Sequence, residues 1–87
     1  MYELLSYVVR GKVRLKVLKI LRRPKTPTEI AQTLKIHRPS VSRAIIALKK
    51  KGLIVCLTPK EKKGRLYVVS ELGQRVLRML EEEDDET

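Results

Sequence analysis

The chain contains no tryptophan, phenylalanine or asparagine, and among its 87 residues has one histidine, one cysteine and three tyrosines. Each scarcity removes a class of function. A lone cysteine, Cys56, makes no internal disulfide and no thiolate cluster. A metal site needs three or four converging ligands, and His37 with Cys56, on different elements, falls short of that, so no metal or other cofactor is expected. Ser40, Ser42 and Ser70 find no further histidine from which to build a triad. There is no glycine-rich phosphate loop, and most carboxylates crowd the C-terminal end, so nothing points to an enzyme. With only Tyr2, Tyr7 and Tyr67 as aromatics, neither an aromatic-lined effector pocket nor a stacking platform for single strands is expected. No run is long and apolar enough to span a bilayer and no signal peptide is read at the start, which predicts a cytoplasmic protein without a membrane partner.

Acidic residues are scarce in a particular place. Glu81, Glu82, Glu83, Asp84, Asp85 and Glu86 supply six of the ten, so residues 1–80 set all 20 lysines and arginines against Glu3, Glu29, Glu61 and Glu71, a balance of +16. Such a body suits a polyanion. Length and charge together predict one domain over residues 1–80, followed by an acidic, flexible tail at 81–87. The many Lys, Glu and Arg, with Asn absent, match a thermophile's composition.

The chain is organised around TPTEIAQTLKIHRPSVSRAIIALKKKG, Thr26 to Gly52. Thr26 as cap, Pro27 at the first helical position and Glu29 three residues after the cap predict a capping box opening a helix. Ile30, Ala31 and Leu34 give that helix an apolar face. Val41, Ile45 and Leu48 give a second helix another, with Pro39 near its start and Lys49, Lys50, Lys51 and Gly52 at its end. Outside this shared seam lie Arg38, Pro39, Ser40, Ser42, Arg43, Ile46, Ala47 and Lys50. Small residues near a helix N-terminus let the backbone approach the DNA major groove, and arginine and hydroxyls match guanine edges and phosphates. A merely solvated face is the plainer reading, although it requires neither small residues nor arginines.

Before this stretch, Tyr2 to Val9 reads as a short apolar helix, interrupted by Gly11. Lys12 to Arg23 reads as an amphipathic helix with Val13, Val17, Ile20 and Leu21 as its stripe, ended by Pro24. After it the period becomes strand-like. Leu53–Leu57 and Arg65–Val69 predict a β-hairpin whose intervening loop, from Thr58 to Gly64, carries Pro59, Lys60, Lys62 and Lys63. Its cations suit phosphates or a minor groove, or simply blunt a sheet edge. Ser70 is a cap for a last helix running to about Glu82, with Leu72, Val76, Met79 and Leu80 on one side. That stripe and the one from Leu4, Leu5 and Val8 have no place in the hairpin seam, so they are expected to cover each other, within one subunit or across a two-fold axis.

This order of elements resembles the winged helix-turn-helix transcription regulators of bacteria and archaea, in the MarR/ArsR-like grouping. The likeness covers about residues 12–80 and is clearest in TPTEIAQTLKIHRPSVSRAIIALKKKGLI and GRLYVVSELGQRVLRML. It implies a mainly α fold with a small β-hairpin and extra terminal helices, acting as a homodimer on double-stranded DNA. By position, the recognition helix is Arg38 to Lys51, with His37, Arg38, Pro39, Ser40, Ser42, Arg43, Ile46 and Lys50 toward the major groove. The wing offers Lys60, Lys62, Lys63 and Arg65 to the minor groove or backbone, and Thr26 and Thr28 of the first helix face the backbone. The dimer surface is assigned to Leu4, Leu5, Val8, Leu72, Val76, Met79 and Leu80. Two positions depart from the pattern. Lys35 stands where many relatives have the turn glycine, so it is expected to take a left-handed conformation. Ile46 stands where they have a polar residue, and it suits either a thymine methyl or a protein contact. Sequence-specific transcriptional regulation is the reading these features favour. A protein-binding winged-helix subunit of a transcription or chromatin assembly, and a non-specific nucleic-acid coat, remain alternatives.

Overall fold

Helix boundaries follow the punctuation of the sequence. In a computed structural model describing residues 2–85, with side chains to residue 82, α1 (Tyr2–Arg10) and α2 (Lys12–Ile20) are separated by Gly11 alone. They are followed by α3 (Pro27–Leu34), α4 (Arg38–Lys50), β1 (Ile54–Cys56), β2 (Tyr67–Val69) and α5 (Glu71–Asp85). The capping box that opens α3 is complete: the Glu29 N–H donates to Thr26 Oγ1 at 3.2 Å, and the Thr26 N–H to Glu29 Oε1 at 2.9 Å. At the other end of α3, Lys35 takes the left-handed conformation (φ 56°, ψ 46°) and its N–H returns to the Ala31 carbonyl. A lysine thus does the work of the usual glycine. Gly52, at φ 74°, turns the chain out of α4 toward the hairpin.

The second helix ends earlier than its periodicity predicts. Instead of reaching Arg23, α2 stops at Ile20, because the chain must straighten to pair with the sheet. The Leu21 carbonyl accepts the Val69 N–H at 2.8 Å, and Lys25 and Tyr67 exchange backbone bonds of 3.1 and 3.0 Å. Those pairings give β2 a partner on both sides. On its other side β1 runs antiparallel in the register Ile54–Val69, Val55–Val68 and Cys56–Tyr67. Both strands are shorter than the five residues expected. Leu53 directs its N–H back to the Leu48 carbonyl at 3.0 Å, while the Leu66 N–H is taken by Thr58 Oγ1 at 2.9 Å.

Packing gathers every element on one core. Leu18, Leu21, Ile30, Leu48, Leu53 and Ile54 are fully buried, beside Val17, Val41, Ala44 and Ile45. Leu18 and Leu77 belong to this core although the apolar stripes proposed for their helices omit them. Ser70 caps α5 as expected, accepting the Gly73 N–H at 3.1 Å while donating to the Gly52 carbonyl at 2.6 Å. Gly73 is required by contact: a Cβ there would collide with the Leu53 carbonyl oxygen and the Val69 side chain. The helix α5 runs on through Asp85, three residues past the expected end, and residues 86 and 87 of the expected tail lie outside the described residues.

The two surplus stripes meet inside the chain. Leu5, Val8 and Val76 are buried in its own core, and Leu4, Leu72, Met79 and Leu80 are half-buried against it. Three of the residues expected at a dimer surface are thus buried within the single chain. The architecture is a winged helix-turn-helix, mainly α with a two-stranded antiparallel hairpin, extended by α1 and α5.

Candidate nucleic-acid interface

The outward side of α4 is set by what its inward side buries. Val41, Ala44, Ile45 and Leu48 turn to the core, which leaves Arg38, Pro39, Arg43, Ile46, Lys49 and Lys50 exposed and Ser40, Ser42 and Ala47 half-buried along the flanks. Two grooves run beside this helix.

The first lies between the start of α3, the start of α4 and the hairpin loop, and is lined by Thr28, Arg38, Lys62, Lys63, Arg65 and Tyr67. Arg38 is held across it, its Nη1 donating to Thr28 Oγ1 at 2.9 Å. The loop is itself folded: the Glu61 N–H donates to the Thr58 carbonyl at 3.1 Å, and Arg65 Nε to the Glu61 carbonyl at 2.6 Å. Lys60, Lys62, Lys63 and Arg65 all remain exposed. The helix-turn-helix and the hairpin thus bring four of the expected cations, Arg38, Lys62, Lys63 and Arg65, to one concavity.

The second groove lies on the opposite flank of α4, where Ser40, Arg43 and Ala47 face Lys12 and Arg14 of α2. Neither of these two α2 cations is among the residues expected to face DNA. The signal existed, since Lys12 sits on the polar side of its helix, but only the α2–α4 packing shows which surface that side continues. Arg14 is fixed in place, with Nε 3.1 Å from the Tyr7 carbonyl and its guanidinium 4.0 Å from the Tyr7 ring centre. Lys51, which ends α4, lies over the same ring at 5.2 Å. Tyr7 therefore ties α1 to both α2 and the end of α4 through its electron-rich face.

Two of the expected site residues stand at helix caps. His37 occupies the cap position of α4, but its side chain makes no capping bond; only its carbonyl serves, accepting the Ser40 and Val41 N–H groups at 3.0 and 3.1 Å. Thr26 is engaged in the capping box, with the Glu29 carboxylate beside it. Donation from the Thr26 backbone N–H, then from its hydroxyl, with the charge of Lys25 adding to both, holds the Glu29 carboxyl below its ordinary pKa, so the carboxylate is negative there. Thr28 is exposed and is engaged by Arg38.

The exposed charge on α4 and the hairpin loop is mostly positive. Among the described residues the one ion pair is Arg22–Glu81, away from α4 and the hairpin loop, so no cation of either is neutralised by a carboxylate. In the same residues no group of three or more His, Cys, Asp or Glu side chains converges as for a metal, and no helix is long and apolar enough to cross a membrane.

Comparison with known proteins places this geometry. No match by sequence was found among curated proteins. Among solved structures, ZitR of Lactococcus lactis superposes with a TM-score of 0.77 at 22% identity, over 88% of this chain and 54% of that one. A MarR family regulator of Neisseria meningitidis gives 0.75 at 21% identity, over 93% and 61%. TubR of Bacillus thuringiensis serovar israelensis, solved bound to 24 bp of tubC, gives 0.81 at 15% identity, over 94% and 92%. The chain thus spans little more than half of the ZitR structure but nearly all of TubR. These likenesses show a shared fold. The family itself is shown by sequence: the MarR family model matches residues 19–64, more than half of the 87 residues and a span from the end of α2 to the tip of the hairpin, so the chain belongs to the MarR family.

Proposed function

We propose that this protein regulates transcription by binding double-stranded DNA sequence-specifically as a homodimer, with α4 in the major groove and the hairpin as a wing on the minor groove or backbone. The observation that carries the reading is the concavity where Arg38, Lys62, Lys63 and Arg65 converge beside the exposed face of α4, with no carboxylate paired to them among the described residues. Phosphate contacts from these cations would supply salt-dependent affinity, and Ser42, Arg43 and their neighbours the base discrimination. TubR, which shares the fold over nearly its whole length and was solved bound to 24 bp of tubC, supports a duplex partner here. In this reading residues 1–80 act as one DNA-binding unit.

Apolar surface supports the second copy. Tyr2 and Val9 on α1 are 77% and 52% exposed and share a shallow groove with Leu80. A two-fold pair of recognition helices would read half-sites about one helical turn apart. Selection from random duplex DNA at physiological salt tests the whole proposal, and a palindromic motif is the expected result. Binding that depends on salt but not on sequence would leave only a nucleic-acid coat. Absence of binding would favour a protein-docking winged helix.

A further inference from the structure

Ile46 is 61% exposed in the middle of the outward face of α4. The other exposed large hydrophobic residues among those described, Tyr2, Val9, Val55 and Leu57, all lie on α1 or in the hairpin, so Ile46 has no large exposed apolar companion on its own helix. Its neighbours at helical spacing are Ser42 and Arg43 one turn before and Lys49 and Lys50 one turn after, three of them cations. A protein-docking anchor is normally ringed by further contacts that exclude water. A single branched hydrocarbon among cations suits a different surface, one that is anionic at its edges and carries isolated methyl groups on a polar floor.

The DNA major groove has that character, and thymine is the base that presents a C5-methyl group there. Resting on the DNA-binding reading above, we infer that Ile46 is a specificity-determining residue that packs on a thymine methyl. A β-branched side chain in a helix is held near one χ1 rotamer, so little freedom is lost when it meets the methyl. Its place relative to Arg43 adds a constraint. Residues three apart on a helix have Cβ atoms about 5–6 Å from each other, and stacked base pairs are about 3.4 Å apart along a strand. The thymine under Ile46 therefore lies one or two base pairs from the guanine read by Arg43.

Replacing thymine by uracil removes the methyl and keeps the pairing. On a duplex selected from random DNA, each thymine is replaced singly by uracil and titrated with the wild type and with Ile46→Ala. The exposed position and the strong helix propensity of alanine keep that variant folded. Uracil at one position per half-site is expected to weaken the wild type about fourfold, the value of burying one methyl-sized group. The same substitution leaves Ile46→Ala unaffected. A wild type indifferent to uracil at every position, or a variant as sensitive as the wild type, overturns the inference while leaving DNA recognition standing. A protein that selects no motif overturns the DNA reading and this inference together.

Discussion

The two helices of the helix-turn-helix, α3 and α4, begin in opposite ways. At the start of α3 a hydroxyl, a proline and a carboxylate close the helix, and two orphan N–H groups are satisfied by the capping box. At the start of α4 no side chain closes the helix, the cap residue His37 contributes only its carbonyl, and the first helical residue is the exposed Arg38. Both ends carry the positive pole of a helix dipole. One is already answered by the Glu29 anion; the other is reinforced by a cation. In the DNA-binding reading, a phosphate would meet the uncapped start of α4 and the Arg38 guanidinium that reaches from it to Thr28. The first end is closed within the chain, and the second has no side-chain cap.

The largest effects should come from the open end. Arg43→Ala should cost about 1–3 kcal/mol on the selected site and flatten preference among sequences. Lys62→Ala should weaken every duplex alike and reduce the slope of log affinity against log salt by about 1. Titrations of both variants on specific and random duplexes at several salt concentrations separate the two behaviours. If Arg43→Ala lost affinity uniformly, it would be a phosphate contact like Lys62, and the distinction between α4 and the wing would collapse.

The closed end should answer to stability instead. Thr26→Ala removes the cap and should cost about 1 kcal/mol of folding free energy. Its DNA affinity, measured where the variant is fully folded, should be close to the wild type. A large loss of affinity without loss of stability would make Thr26 a DNA contact as well as a cap. At the opposite end of α3, Lys35→Gly should raise stability by a little under 1 kcal/mol, because relief of the left-handed strain exceeds the entropy glycine brings to the unfolded chain. Denaturant titration of the two variants should move the midpoint in opposite directions.

The contrast also explains what the sequence made legible. Capping at Thr26, the left-handed Lys35, the stop at Gly52 and the Ser70 cap are local events, settled by residues within a few positions of one another, and all four are present. The misplaced boundary at Arg23 and the missed burial of Leu18 and Leu77 depend on distant partners. Along Lys12 to Arg23 apolar residues occur at Val13, Leu15, Val17, Leu18, Ile20 and Leu21, so periodicity alone admits more than one inward face. The pairing of Lys25 with Tyr67 and of Leu21 with Val69 decides where the helix ends. Arg14 and Lys12 joined the candidate interface for a similar reason. Their helix is recognisable from sequence, but its packing against α4 is not.

Acid titration gives the finest probe of the closed end. In the folded chain the Glu29 carboxyl lies below its ordinary value of 4.5, first because the Thr26 backbone N–H donates to it, then because of the Thr26 hydroxyl and the nearby Lys25 charge. A group that binds its proton more weakly when folded stabilises the fold above its unfolded pKa. That contribution is lost as the pH falls through the lowered folded value. The carboxyl is exposed, so the effect is small and best seen as a difference between proteins. Glu29→Gln keeps an acceptor for the Thr26 N–H and removes the titration, so its stability should fall less than the wild type's between about pH 6 and about pH 3. Parallel acid limbs for the two proteins would mean that the carboxylate is not what closes α3, and the difference between the two helix starts would then rest on Thr26 alone.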